Sequence, residues 1–363
     1  MPPPAGVPSP TATATPASIP TATATATATP TATPASTATA LPSPKSTTLA
    51  LASNGDSPAD RALLAGDRAF DEGDLDAAAK SYAAARVAAP AKAGPFVGLA
   101  RVRIARTGLP MDYASGKGNP EILAAVRDLR KAAQLDASFG PALVELGRAL
   151  LLAGDADGAV ATLRRGVTLM VSEAEAHSVL GVALLATGHR DEALVELERA
   201  ASLDPGSAAR HGNLGTVLFM NGRVADAVKE YELQVRLEGD DARAHSDLGT
   251  ALLASEDATR AMAELRRAIA LDPSHAAFHS NLGYAMQSQG MRNEAVAEYK
   301  EALRLDPQLS SAWINLATLL ARDPKTRADA RAALETAKKI DPSDPRVKAN
   351  LEELDSLEKS GSP

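Results

Sequence analysis

Residues 276–309 read AAFHSNLGYAMQSQGMRNEAVAEYKEALRLDPQL. In the first half Leu282, Gly283 and Met286 share one face of a helix, and the pattern breaks at Gln289-Gly290. In the second half Ala295, Tyr299 and Ala302 share a face, and the run stops at Leu305-Asp306-Pro307. Two short amphipathic helices joined by a tight turn cannot cover their own apolar stripes, so such a unit needs similar neighbours to stack on.

Those neighbours are present. Aligning the chain on this stretch gives eight units: 59–92, 93–139, 140–173, 174–207, 208–241, 242–275, 276–309 and 310–344. From 140 onward the unit starts fall 34 residues apart. The seventh position is Ala65, Leu99, Leu146, Leu180, Leu214, Leu248, Leu282 and Leu316, and the eighth is Gly or Ala throughout. A large apolar residue beside a very small one lets two helices approach closely. Ala78, Ala125, Ala159, Ala193, Ala227, Ala261 and Ala295 do the same on the second helix. Gly73, Gly154, Gly188, Gly222 and Gly290 mark the turn inside a unit, and Pro90, Pro205, Pro273, Pro307 and Pro342 end it.

The pattern resembles that of the tetratricopeptide repeat family, W-x2-L-G-x2-Y followed by A, F, A and P at fixed offsets. The resemblance covers nearly all of residues 59–344, with Trp313 as the only tryptophan at the family's first signature position. It implies an all-α fold: an α-solenoid, a right-handed superhelix of helix-turn-helix repeats whose first helices line a concave groove. Two units depart from it. The second carries an insertion, GLPMDYASGKGN at 108–119, for which a neutral surface loop is the favoured reading. The eighth has one extra residue in its turn, around Asp323 to Arg327. Ser57-Pro58 and Asp344-Pro345 each place a capping residue before a proline at the first helical position. Val347, Leu351 and Leu354 then form the single stripe of a C-terminal capping helix over 345–358.

Residues 1–57 are of another kind. The first 50 hold 11 Pro, 14 Thr and 13 Ala, with Lys45 as the only charge. So little large apolar surface cannot offset ordering entropy, and a disordered Pro/Thr/Ala-rich tail or linker is expected. The formal net charge of -7 falls on the repeats and argues against nucleic acid as a partner. No cysteine is present, which removes disulfides, thiol chemistry and Cys-based metal sites. No run is apolar and long enough to span a membrane, and the start lacks the features of a secretory signal. A cytoplasmic location is the default expectation; a periplasmic or membrane-tethered one follows if an anchor lies upstream.

The resemblance places repeat positions 2, 5, 6, 9, 12 and 13 near the groove. Position 6 reads Asn213, Asp247, Asn281 and Asn315 along four successive units. This row resembles the asparagine-lined groove of the repeat domain in O-linked N-acetylglucosamine transferases. Adjacent helices pack about 8–10 Å apart and an extended peptide advances about 3.3 Å per residue, so one rung meets about every third ligand residue. An Asn can donate to a carbonyl and accept from an amide at once. The alternative use, bridging adjacent helices, stays open. Leu151, Leu152, Val182, Leu185, Phe219 and Met220 form either an apolar patch for a partner or inter-helix core. Arg101, Arg148 and Arg243 fall at groove positions, where they would hold an acidic partner side chain, with solvated charge as the bland account of each. Positions 5 and 9 lack the Lys and Asn set with which chaperone-binding members of the family clamp a terminal carboxylate. His177, His211, His245 and His279 recur at the family's Trp position, which favours packing over metal binding.

No catalytic arrangement, metal motif or nucleotide loop appears, so neither an enzyme nor a cofactor is expected. The expected function is a non-catalytic scaffold that binds a protein or peptide segment in the groove. The alternatives are a substrate-recruiting accessory of a glycosyltransferase system and a pilus or secretion assembly factor.

Overall fold

The computed structural model describes residues 49–52, 56–109 and 113–360. Of the expected disordered tail, 1–57, residues 1–48 and 53–55 lie outside these. The described chain is helical throughout, in pairs: α1 (Pro58–Asp71) with α2 (Leu75–Ala88), α3 (Gly94–Arg106) with α4 (Pro120–Leu135), α5 (Gly140–Ala153) with α6 (Ala156–Leu169), and α7 (Ala174–Ala186) with α8 (Arg190–Leu203). There follow α9 (Ala208–Met220) with α10 (Val224–Leu237), α11 (Ala242–Ala254) with α12 (Ala258–Leu271), α13 (Ala276–Ser288) with α14 (Arg292–Leu305), and α15 (Ser310–Leu320) with α16 (Arg327–Ile340). A terminal helix, α17 (Pro345–Ser360), closes the series. None of these is long and apolar enough to cross a membrane.

Each helix packs on its predecessor and successor, and odd-numbered helices also touch the next odd one, as α1 does α3, α5 does α7, and α13 does α15. The odd helices therefore form a closely spaced inner layer and the even ones an outer layer, which is a solenoid. Close approach within a pair depends on the small eighth residue. A Cβ placed on Gly283 would stand 2.9 Å from the Tyr299 ring and 3.2 Å from the Ala295 carbonyl oxygen. The alanines opposite, Ala78 through Ala295, have no exposed surface at all.

The punctuation works as the residue types suggest. Gly73, Gly154, Gly188, Gly222 and Gly290 all have φ between 74° and 83°. In the sixth unit Glu256 takes that place at φ 65°, a conformation that disfavours a residue with a Cβ. The Asp-Pro turns between units are tied by their aspartates: Asp306 Oδ1 accepts from the Gln308 N–H at 2.8 Å, and Asp341 Oδ1 from that of Ser343 at 2.9 Å. Ser57 caps α1 through the Asp60 N–H, and Asp344 accepts from the Arg346 N–H at 2.9 Å. In α17 Val347 and Leu354 are buried against the last pair, as a sealing helix requires. The extra residue of the eighth unit is taken up by a 3-10 turn, Pro324–Thr326.

Two expectations need correction. The insertion at 108–119, of which residues 110–112 lie outside the description, is not a neutral surface loop. Its Ala114 and Gly116 N–H groups donate to the carbonyls of Leu151 and Leu152 at 2.9 and 3.0 Å, and the Tyr113 hydroxyl donates to that of Gly154. It supplies partners to the C-terminal end of α5, a second one for the Leu151 carbonyl, which also accepts from the Gly154 N–H at 3.0 Å, and one for the Leu152 carbonyl. Residues 49–52, within the expected tail, also pack on the repeats, with Leu49 and Leu51 buried.

Candidate functional site on the inner helix layer

Asn213 on α9, Asn281 on α13 and Asn315 on α15 are 7%, 4% and 6% exposed. Asn213 Nδ2 donates to Ser178 Oγ at 3.4 Å; Asn281 Nδ2 reaches Ser246 Oγ and Thr250 Oγ1, both at 3.5 Å. Asn213 and Asn281 thus reach back to a hydroxyl one repeat earlier, whereas the Ser280 hydroxyl, one repeat before Asn315, has no hydrogen-bond partner among the described residues. These bonds are at the long limit for N–H···O, and the carboxamide oxygens of Asn213 and Asn281 accept from no described residue. In this geometry Asn213 and Asn281 bridge adjacent inner helices.

Asp247 is the exception among the rungs. The residue one repeat before it at position 5 is Gly212, which offers no hydroxyl. Half-buried, Asp247 has its carboxyl pushed up to about 8, first by burial and then by Asp241, with Arg243 opposing. At neutral pH it is largely protonated and can donate and accept as an amide does.

The apolar and basic groove candidates divide. Leu151, Leu152 and Val182 have no exposed surface and Leu185 is 7% exposed, so these four are core rather than a patch. Phe219 and Met220 are half-buried, and Arg243 is exposed. Arg101 and Arg148 are not solvated: they belong to a buried chain of alternating charge. Arg101 lies 3.8 Å from Asp67 and 2.8 Å from Glu145; Arg148 bonds Glu175 and lies 3.4 Å from Glu145. Glu175 in turn meets Arg210 at 3.2 Å, and Arg210 meets Asp204 at 3.1 Å. Burial alone would raise the Glu145 carboxyl, but Arg101 and Arg148 hold it below its usual range. Asp67, Glu145, Glu175 and Arg210 were missed in the sequence. Their signal was charge of alternating sign at inner-helix positions of consecutive units.

The four histidines are engaged on both sides of the ring. Nδ1 of His177, His211, His245 and His279 faces Glu196, Glu230, Glu264 and Glu298 at 2.6–2.8 Å. Nε2 faces the carbonyl oxygen six residues earlier, at 2.9–3.3 Å. Trp313 makes the same second bond, its indole N–H donating to Pro307 at 3.0 Å. The histidines therefore tie each inner helix to its outer partner and to the preceding turn.

Profiles of the tetratricopeptide repeat match residues 184–248, 251–290 and 276–309. No curated protein matches the sequence. Among solved structures, a chain of the APC/C hetero-tetramer Cut9–Hcn1 superposes with a TM-score of 0.61 at 16% identity. The match covers 81% of this chain and 55% of that one, so the protein spans about half the length of that relative. YrrB, described as a TPR protein with an unusual peptide-binding site, gives 0.41 at 20% identity over 52% of this chain and 97% of its own. MamA from Desulfovibrio magneticus gives 0.44 at 20% over 47% and 96%. The first likeness is one of fold.

Proposed function

We propose that this chain, which carries tetratricopeptide repeats, is a non-catalytic interaction scaffold that holds an extended segment of a partner protein along its inner helices. Asn213, Asp247, Asn281 and Asn315 are the rungs. The observation that carries the reading is the state of two of the amides: the donors of Asn213 and Asn281 are held by bonds of 3.4–3.5 Å, long enough to be exchanged for a ligand carbonyl at little cost. Backbone recognition of this kind tolerates many ligand sequences. A second reading rests on the same rungs through their resemblance to the groove of O-linked N-acetylglucosamine transferases: recruitment of substrates for a separate transferase, which copurifying transferase activity would favour.

The test is capture from the native source by wild type and by Asn213→Ala/Asn281→Ala/Asn315→Ala, with helicity checked by circular dichroism. The reading expects partners to be lost from the triple variant. Equal recovery of every partner from two equally folded proteins would sink the ladder.

A further inference from the structure

The inner layer already holds one segment at its N-terminal end. Leu49 and Leu51 are 5% and 2% exposed, whereas Ala50 between them is exposed. Burial of period two is that of an extended strand, in which residues i and i+2 present the same edge and the same face. Both of those residues are also read through their backbone. Arg101 Nη2 donates to the Leu49 carbonyl at 2.9 Å, and the Leu51 N–H donates to Asp67 Oδ2 at 3.0 Å.

The residues that hold the segment are also tied to the repeats. Asp67 and Arg101 occupy position 9 of consecutive repeats; Asp67 accepts from the Tyr82 hydroxyl at 2.8 Å, and Arg101 donates to Glu145 at 2.8 Å. Arg101 Nη1 is buried and has no hydrogen-bond partner among the described residues. The third contributor is Gly94: a Cβ there would stand 3.0 Å from the Leu51 carbonyl oxygen and 3.1 Å from the Leu63 side chain, so any larger residue would push on the segment. One donor, one acceptor and the burial of both leucines in the apolar core recognise a backbone with leucine at alternate positions. Asp67 and Arg101 balance in charge, so the floor selects neither an acidic nor a basic ligand.

We propose that this mouth of the inner face is a binding site for an extended Leu-x-Leu segment of a partner protein, filled in the free chain by its own Leu49–Ala52. The proposal deepens the scaffold reading, on which it rests, and names the chemistry of the ligand. A segment tethered a few residues from α1 competes at high effective concentration, so an external Leu-x-Leu strand must displace it. The site thus accepts a partner only when that partner outcompetes the chain's own leucines.

The test uses the full chain and a fluorescent peptide of residues 46–55, STTLALASNG, followed by polarisation. Leu49→Asp/Leu51→Asp releases the internal segment, and this variant is expected to bind the peptide at least about tenfold more tightly than wild type. A peptide with aspartate at both leucine positions binds neither protein. Adding Gly94→Val to the released variant removes the binding. The proposal is overturned if the released variant, with unchanged helicity, fails to bind the peptide. It is equally overturned if release abolishes amide-exchange protection across α1 and α2, because the segment is then a structural cap. The triple asparagine variant carrying Leu49→Asp/Leu51→Asp should bind the peptide as the released chain does. Unchanged partner capture by the triple asparagine variant with intact peptide binding would therefore refute the ladder and leave this site standing.

Discussion

Replacing Asp247 by Asn tests whether the irregular rung behaves as an amide. The folded carboxyl titrates at about 8, whereas an unfolded aspartate titrates near 3.9. The folded state therefore holds a proton that the unfolded state has released, and stability falls as pH rises from about 4 to about 8, then levels off. At about 1.4 kcal/mol per unit, three units at pH 7 would cost about 4 kcal/mol for a fully enclosed group. Asp247 keeps some solvent contact, and screening reduces this to about 1–2 kcal/mol. Asp247→Asn is thus expected to match wild type near pH 4.5 and to gain about 1–2 kcal/mol at pH 8. Thermal melting and amide exchange within α11, compared between the two proteins at each pH, read this difference while other titrating groups cancel. Partner capture at pH 7 should be unchanged, since both side chains donate and accept. Coincident stability at every pH, or a less stable variant at pH 8, would refute the reasoning.

Three other perturbations probe the framework. Glu175→Gln leaves two guanidiniums, Arg148 and Arg210, facing a neutral amide with all three side chains under 10% exposed; a loss of about 3–5 kcal/mol is expected, read as lost amide protection in α7 and α9. Glu256→Gly should stabilise the sixth pair by about 1 kcal/mol by relieving a φ of 65°, and a lower melting temperature would contradict that. The Glu196 bond, opposed by burial, raises the His177 imidazole. Its contribution is therefore full below about 6.5 and is lost as pH rises through the folded value. His177→Trp, which keeps the bond to the Val171 carbonyl as Trp313 does to Pro307, should flatten that part of the stability profile.

The packing was legible in the sequence because it is periodic. Leu282, Gly283 and Ala295 recur at fixed offsets, and a structure made of stacked copies turns that recurrence directly into contacts. The inner face was harder to read, because helical spacing alone does not separate a groove wall from a contact between inner helices. Leu152 and Val182 fall at groove positions and are nonetheless fully enclosed. Arg101 and Arg148 read as solvated because their partners, Glu145 and Glu175, are meaningful only once the inner helices stand side by side. Leu49 and Leu51 were hidden by their surroundings: composition averages a two-residue anchor into a Pro/Thr/Ala-rich stretch. The Asn-to-Ser bonds across one repeat explain why position 5 is small, a link that neither row showed by itself.

The central claim, that a partner lies along the inner helices, is tested most directly by site-specific photo-crosslinking. A benzophenone amino acid replaces either Tyr284, half-buried on inner helix α13, or Val195, 63% exposed on outer helix α8. The account predicts crosslinks from position 284 to one contiguous segment of a partner protein and none to that segment from position 195. Crosslinks from 195 with none from 284 would place the partner on the outer layer and contradict it.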